Sequence, residues 1–140
     1  MMRSERGMTL VEILVAAFVI TIGLVAVATG MQLATAGVAA GQQQTTASFL
    51  AEQRLEDIKS FAVSLDGAQG WANVTSTSFP ATEAYGAITN YTTYRRTTTI
   101  TTPTATTKRV TVSVFWVPVG VAAQNAERSV TFSVLLASRS

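Results

Sequence analysis

The feature that most constrains the fold is an apolar segment near the start of the chain. It runs from Ile13 to Met31, and no charged residue occurs between Glu12 and Glu52. About 20 consecutive apolar residues are enough for a helix to cross the hydrocarbon core of a bilayer. The segment is apolar on every face, which is typical of a helix surrounded by lipid or by other helices. We therefore predict a membrane-spanning helix.

A single carboxylate, Glu12, stands where this segment begins. Moving an ionised carboxylate into lipid costs roughly 2.5–3.5 kcal/mol on insertion scales, so such a residue is expected to have a partner. Cleavage between Gly7 and Met8 would create an ammonium group at Met8. The Glu12 carboxylate of one copy can then neutralise that amine on a neighbouring copy. The sequence therefore indicates Glu12 as an assembly residue.

The hexapeptide from Gly7 to Glu12, GMTLVE, and the apolar segment after it closely resemble the N-terminus of type IV pilins and pseudopilins. In that family, prepilin peptidase removes a short basic leader after the glycine and N-methylates the new first residue. The resemblance implies cleavage between Gly7 and Met8, N-methylation of Met8 and assembly through Glu12. It also implies three partners, namely other pilin subunits that contact the N-terminal helix, prepilin peptidase and the inner membrane. Family members most often begin with phenylalanine, whereas this chain has Met8 there.

Two other interpretations of the same segment remain open. A secretory signal peptide has a basic start and an apolar core, and the small residues from Ala34 to Ala36 would suit its cleavage site. Its apolar core is about 7–15 residues long, however, which is shorter than the segment here. An ordinary signal anchor explains the length of the segment but not the presence of Gly7 and Glu12.

The pilin resemblance divides the chain into three parts. Residues 1–7 are the predicted leader, residues 8–31 the transmembrane and assembly half of the helix, and residues 32–140 a head that includes the second half of the helix. Arg3 and Arg6 are expected to stay on the cytoplasmic side by the positive-inside rule. The head then lies in the periplasm or outside the cell. Before assembly the protein would cross the inner membrane once, and afterwards it would belong to a pilus or pseudopilus.

The head is predicted to be α+β, with the second half of the helix packed on a small antiparallel sheet of about three strands. Apolar residues recur at spacings of three and four along the helix, at Ala51, Leu55, Ile58, Ala62 and Leu65. Arg54, Glu56, Asp57 and Lys59 are assigned to its solvent side, and Asp66 with Gly67 to its end. Alternating apolar residues predict strands around Val110 to Trp116 and Val130 to Leu136, after a threonine-rich strand from Tyr91 to Thr102. Residues 67–90 are predicted to form an irregular connection that exposes a partner-specific surface.

Four basic residues flank the first predicted hairpin, at Arg95, Arg96, Lys108 and Arg109. If they converge, they form a basic patch for DNA, anionic lipid or another subunit. The alternative is that they are solvated charges that protect strand ends from aggregation.

The composition argues against catalysis. The chain has no histidine and no cysteine, and its few carboxylates are scattered, so we predict no enzyme activity, no metal site and no cofactor. A formal net charge of +2 gives no strong electrostatic reason to bind nucleic acid. Many pilins of the family carry a C-terminal disulfide, and many major pilins have proline where this chain has Thr29. These departures favour a minor pilin of a pilus tip or priming complex. The alternatives are a type II secretion pseudopilin, or a membrane-anchored module for adhesion or DNA uptake.

Overall fold

The computed structural model describes residues 9–118 and 127–138. Gly7 and Met8, with the predicted cleavage and methylation site, lie outside the described residues. By its internal contacts the chain divides into two compact units, Met1–Ala39 and Ala40–Ser140.

One helix, α1 (Leu10–Val63), supplies all the described structure of the first unit except Thr9. Its first 30 residues, up to Ala39, extend over about 45 Å, which exceeds the roughly 30 Å of a bilayer core. The most apolar 18-residue window of α1 has a mean hydropathy of 2.8, and none of it is buried inside the protein. The helix is therefore long and apolar enough to cross a membrane, as the sequence predicts.

Threonine hydroxyls in this apolar segment are bonded within the helix itself. The Thr21 hydroxyl donates to the Ala17 carbonyl at 2.7 Å. The Thr29 hydroxyl lies 3.1 Å from the Val25 carbonyl and 3.0 Å from the Ala26 carbonyl. Lipid offers polar groups no partner, so a hydroxyl that bonds to the preceding turn can enter the bilayer at low cost.

The second unit contains a four-stranded antiparallel sheet in the order β1-β2-β3-β4. The strands are β1 (Thr82–Glu83), β2 (Tyr94–Thr104), β3 (Thr107–Trp116) and β4 (Arg128–Ala137). The α+β class and the meander of the last three strands are confirmed. The additional strand β1 lies in the connection that was predicted to be irregular, and two residues are too few to show alternation in the sequence. It is fixed by pairing with β2, where the Thr98 N–H also donates to the Ala81 carbonyl at 2.9 Å.

The core of the head lies between the end of α1 and one face of the sheet. Val110, Val112 and Val114 of β3 are completely buried. The buried residues of α1 are Ala47, Leu50, Ala51, Leu55 and Ile58. This confirms the predicted helix stripe at three of its five positions, Ala51, Leu55 and Ile58, while Ala62 is partly buried against the core.

Two details of the predicted helix are wrong. Leu65 was assigned to the buried stripe, but it is 98% exposed because α1 ends at Val63. The chain turns away at this point, where the Phe61 carbonyl accepts the N–H groups of Ser64 and Gly70. Arg54 was assigned to the solvent side, but only 12% of its side chain is exposed.

Candidate assembly site and the charges of the head

Glu12 and Thr9 together cap the start of α1. The Thr9 backbone N–H donates to Glu12 Oε2 at 3.1 Å, and the Glu12 N–H donates to the Thr9 hydroxyl at 3.3 Å. Threonine followed by glutamate three residues later is a capping box, in which each side chain satisfies a backbone N–H that has no partner inside the helix. The negative charge also lies favourably at the positive end of the helix dipole.

The cap uses only one oxygen of the Glu12 carboxylate. The Thr9 hydroxyl also bonds to Oε2, at 3.3 Å, whereas Oε1 has no hydrogen bond within the described residues. The side chain is exposed, so a cation from another molecule can approach it. The capping box and an intermolecular ion pair are therefore geometrically compatible.

The four basic residues that the sequence suggested as a patch are not brought together. In the register of β2 and β3, Arg95 lies opposite Phe115 and Arg96 opposite Val114, whereas Arg109 lies opposite Thr101. The two pairs of basic residues are thus about five residues apart along the sheet. They also differ in face, because Arg96 and Lys108 are buried on the core side while Arg109 is exposed.

Arg96 belongs to a partly buried cluster with Glu83 and Arg54. The Glu83 carboxylate accepts from Arg96 Nε at 2.6 Å and from its terminal nitrogen at 2.8 Å, while Arg54 approaches it to 3.3 Å. Arg96 also donates to the Leu50 carbonyl of α1 at 3.1 Å. The hydrogen bond from Arg96 lowers the pKa of Glu83, whereas burial lowers the pKa of Arg54. The cluster ties β1, β2 and α1 together.

Lys108 has carbonyl groups as its hydrogen-bond partners. Its Nζ donates to the carbonyls of Trp71, Ala72 and Val74 at 2.8–3.0 Å, and it lies 4.6 Å from the centre of the Trp71 ring. All three ammonium hydrogens thus have acceptors. Burial lowers the pKa of this lysine. Lys108 therefore holds the short 3-10 helix Trp71–Asn73 of the connection against the sheet.

Arg95 lies on the outer face of the sheet with an acidic partner of its own. It donates to both carboxylate oxygens of Glu127 at 2.9–3.2 Å and stacks 4.0 Å above the Phe115 ring. The Tyr85 hydroxyl donates to the same carboxylate at 2.7 Å. Hydrogen bonds from Arg95 and Tyr85 lower the pKa of Glu127. Of the four proposed patch residues, three therefore bond within the head, and Arg109 is the exposed exception.

Comparison with protein families bears on the N-terminal part of the chain. Residues 2–28 match the family model described as the prokaryotic N-terminal methylation motif. The chain carries this methylation motif. No curated protein and no solved structure matches the chain. The matched residues include Gly7, Met8 and Glu12. The motif supports a protein of the type IV pilin or pseudopilin type. Proteins of this type are structural subunits that are processed by prepilin peptidase and assemble with other pilins.

Sequence reasoning about this pilin-type chain missed Thr9, Arg54 and Glu83. The capping box was readable, because threonine stands three residues before Glu12. The burial of Lys108 could also have been predicted from the sequence, because residues two apart on a strand share a face and Lys108 precedes Val110 by two residues on β3. The partnership of Arg54 with Glu83 left no such signal, since it depends on where the connection folds back.

Proposed function

We propose that this protein is a minor type IV pilin, a structural subunit of a pilus tip or of the complex that primes assembly. In this proposal prepilin peptidase cleaves after Gly7 and N-methylates Met8, and the Glu12 carboxylate pairs with the Met8 amine of a neighbouring subunit. The head lies outside the cytoplasm, and the first part of α1 crosses the inner membrane before assembly.

The observation that carries the proposal is the methylation motif at residues 2–28, with one carboxylate at the start of an apolar segment that has no further charge before Glu52. A plain membrane anchor has no need of that carboxylate, which is costly in lipid. A buried ion pair with good geometry can offset the desolvation of both groups. The exposed Glu12 carboxylate, with Oε1 available, fits such a pair.

A minor pilin is favoured over a major one by three features of the chain. It has no cysteine, so it cannot carry the C-terminal disulfide of many pilins. Thr29 stands where many major pilins have a proline. The head is small, with one helix segment packed on one sheet. These features suit a subunit that is present in few copies.

Processing is tested by mass spectrometry of the N-terminus in a host with an active prepilin peptidase. We expect a mature chain that begins at N-methylated Met8. Gly7→Val is the matched control, because a branched side chain at the junction should obstruct cleavage and leave the leader in place. A chain that begins at Gly37, or that retains Met1 in such a host, would contradict the proposal.

A type II secretion pseudopilin is the second candidate, and the methylation motif favours it equally. The two are distinguished by the partners that co-purify with the full chain after cross-linking in the cell, which would be pilus components or secretion components. A module for adhesion or DNA uptake is the weaker proposal, because Arg95, Arg96 and Lys108 are already bonded within the head.

A further inference from the structure

A polar cavity of about 340 Å³ lies in the head, between α1 and the turn at residues 88–91. Its volume is at the small end of the roughly 300–1,000 Å³ that is usual for small-molecule sites. On the helix side it is lined by Gln53 and Asp57, which are four residues apart and therefore lie on one face of α1. The rest of the lining includes residues 87–91 of the connection, with Glu83 and Arg96. The cavity is therefore formed within the unit from Ala40 alone.

The turn at the rim of this cavity is held by a backbone hydrogen bond and by one buried side chain. The Tyr91 N–H donates to the Ile88 carbonyl at 3.0 Å, and the Ile88 side chain belongs to the core. Between them, Asn90 has a φ of 66°, in the left-handed region that is uncommon for residues other than glycine. Such conformations persist only where the surrounding contacts enforce them, and they are concentrated at ligand-binding and active sites. The backbone of the rim therefore favours a functional interpretation of the cavity.

Four polar side chains line the cavity without a hydrogen bond to any other group in the part of the chain that the structure describes. They are Gln53, Asp57, Thr89 and Asn90. Asn73 differs, because its amide donates to the carbonyls of Gly67 and Gln69. The four side chains offer two amides and a hydroxyl, which donate and accept, and a carboxylate, which only accepts. The cavity thus presents hydrogen-bonding groups that the head itself leaves unused.

The charges at the cavity compensate one another, which limits the class of ligand. Both oxygens of the Glu83 carboxylate accept hydrogen bonds from Arg96, and Arg54 lies 3.3 Å from one of them. Glu83 is therefore not available to a metal ion, and among the described residues of the lining Asp57 is left as the carboxylate without a hydrogen-bonded cation. With Arg54 counted, two guanidinium groups balance two carboxylates. Because recognition of an ion depends on complementary charge, this balance favours a neutral polar ligand.

A sugar is a neutral ligand that complements this lining. Each sugar hydroxyl both donates and accepts hydrogen bonds, so it can link a carboxylate to an amide. Tyr91 adds an aromatic ring that is half-buried and lies edge-on to Tyr94, with the ring centres 6.3 Å apart. The electron-rich face of such a ring attracts the C–H groups of a sugar ring. A nucleotide fits less well, because its phosphate would be repelled by the Asp57 carboxylate.

We propose that this cavity binds a neutral sugar. Asp57 accepts hydrogen bonds from the sugar hydroxyls, the amides of Gln53 and Asn90 bond to neighbouring hydroxyls, and Tyr91 packs against the sugar ring. The small volume suits one sugar unit, which is either a free monosaccharide or the end of a glycan. Sugar recognition would be a second activity of the head, and the inference does not depend on the proposed function.

Saturation-transfer NMR on the full chain tests this binding. The chain is kept in a phosphocholine detergent, because many other detergents carry sugar headgroups. The ligands are glucose, galactose, mannose and N-acetylglucosamine, each as the free sugar and as the methyl glycoside, which mimics the end of a glycan. We expect saturation transfer to the ring protons of one or more of these sugars. Transfer to both forms would support a glycan end as the ligand, transfer to the free form alone would support a monosaccharide, and transfer to neither would overturn the proposal.

Two variants remove proposed contacts while they keep the backbone of the site. Asp57→Ala deletes an exposed carboxylate and should weaken sugar binding about tenfold or more, because hydrogen bonds to charged groups are among the stronger ones. Asn90→Gly deletes the amide but retains the left-handed backbone, which glycine adopts freely. This variant should weaken binding several-fold, as expected for the loss of a hydrogen bond between neutral groups. The measurement is the dissociation constant from a titration of the transfer signal.

The matched control is Glu52→Ala, which removes an exposed carboxylate of α1 that does not line the cavity. It should bind the sugar like the parent, and equal losses in Glu52→Ala and Asp57→Ala would overturn the location of the site. Glucosamine and glucuronate test the charge argument, since each carries a charged group where glucose has a neutral one. Both should bind more weakly than the neutral sugars, and tighter binding of either one would overturn the assignment of a neutral ligand.

Discussion

Glu12 has one role in the structure and a second in the proposed function, and substitutions can separate the two. The structure shows it as half of a capping box, and the proposed function makes it the partner of an amine on another subunit. Glutamine also serves as the second residue of a capping box, so Glu12→Gln keeps the cap and loses only the charge. Glu12→Ala loses the charge and the half of the cap that the carboxylate supplies, while the backbone N–H of residue 12 can still donate to the Thr9 hydroxyl. The loss should cost the helix at most about 1 kcal/mol.

We predict that Glu12→Gln and Glu12→Ala are both inserted into the membrane and cleaved after Gly7 but are both largely excluded from filaments. Insertion depends on apolar length, and cleavage depends on the leader junction, whereas assembly depends on the charge. The measurement is an immunoblot for this subunit in sheared filaments and in the membrane fraction. If Glu12→Gln assembled normally and only Glu12→Ala failed, the cap and not the ion pair would be the assembly determinant.

Lys108 and Arg109 are neighbours in sequence with opposite environments, which makes them a matched pair. Lys108→Met keeps an apolar stem of similar length but leaves the carbonyls of Trp71, Ala72 and Val74 without their donor. We predict a loss of about 2–4 kcal/mol in the free energy of unfolding, because each buried group without a partner costs about 1–3 kcal/mol and water will satisfy part of the deficit.

Arg109→Met is the control for Lys108, because it removes the same charge from the exposed face of the same strand. Its effect should stay within about 0.5 kcal/mol, as for surface substitutions in general. Chemical denaturation of the full chain in detergent measures both variants. Equal effects of the two substitutions would mean that Lys108 Nζ contributes no stabilising bonds.

At the scale of secondary-structure elements, the periodicity of apolar residues was sufficient to predict an element where one of its faces is buried along its length. Alternation predicted β3 from Val110 to Trp116, and spacings of three and four predicted the packed part of α1. Periodicity did not predict β1 or the end of α1, because contacts between residues distant in sequence determine both. Glu83 gives no local sign of β1, since its place is set by Arg96 and Arg54, and α1 ends before Leu65 because Phe61 accepts from Gly70.

The cluster that holds β1 should make the stability of the head depend on pH. Its hydrogen bond from Arg96 lowers the pKa of Glu83, so between the folded value and the ordinary value of about 4.5 the unfolded state binds more protons. Stability from this group is therefore fully present above pH 4.5 and is lost as the pH falls through the folded pKa. Protonation also leaves Arg54 and Arg96 close together without a compensating charge.

We predict that the melting temperature of the full chain falls on acidification below about pH 4.5, and that Glu83→Gln flattens this part of the profile. At neutral pH the free energy of unfolding of the variant should be about 3 kcal/mol lower, because removing one member of a buried ion pair leaves the charges of its partners without compensation. Glu52→Gln, on the exposed side of α1, is the control and should retain the parental profile. Parallel profiles of Glu83→Gln and the parent would exclude this carboxylate as the source of the pH dependence.

At the scale of the whole molecule, two environments meet in one chain. The unit up to Ala39 leaves its apolar side chains uncovered, whereas the unit from Ala40 buries its own core. The apolar segment that could cross a membrane was predictable from composition alone, because a helix surrounded by lipid is apolar on every face. The head was less predictable, because charges such as Arg54 and Lys108 are buried against partners distant in sequence.

This division predicts that substitutions separate membrane integration from folding of the head. Leu55 is buried in the head, so Leu55→Asp places a charge without a partner in the core and should unfold it. The anchor is untouched, and the variant should still fractionate with membranes. Leu24 and Val25 are exposed on the apolar segment. Each charge raises the free energy of membrane insertion by roughly 2.5–3.5 kcal/mol, so replacing both residues by Asp should raise it by about 5–7 kcal/mol. The core of the head stays intact in this variant.

Alkaline extraction of membranes and limited proteolysis of the head measure the two properties on the same samples. We expect Leu55→Asp to remain in the membrane pellet with a protease-sensitive head. The double variant at Leu24 and Val25 should be extracted from the pellet with a head that resists protease, and replacement of the same two residues by Ala should behave like the parent because the segment stays apolar. A head that became protease-sensitive in the double aspartate variant would show that its folding requires the anchored helix, and the two units would then not be independent.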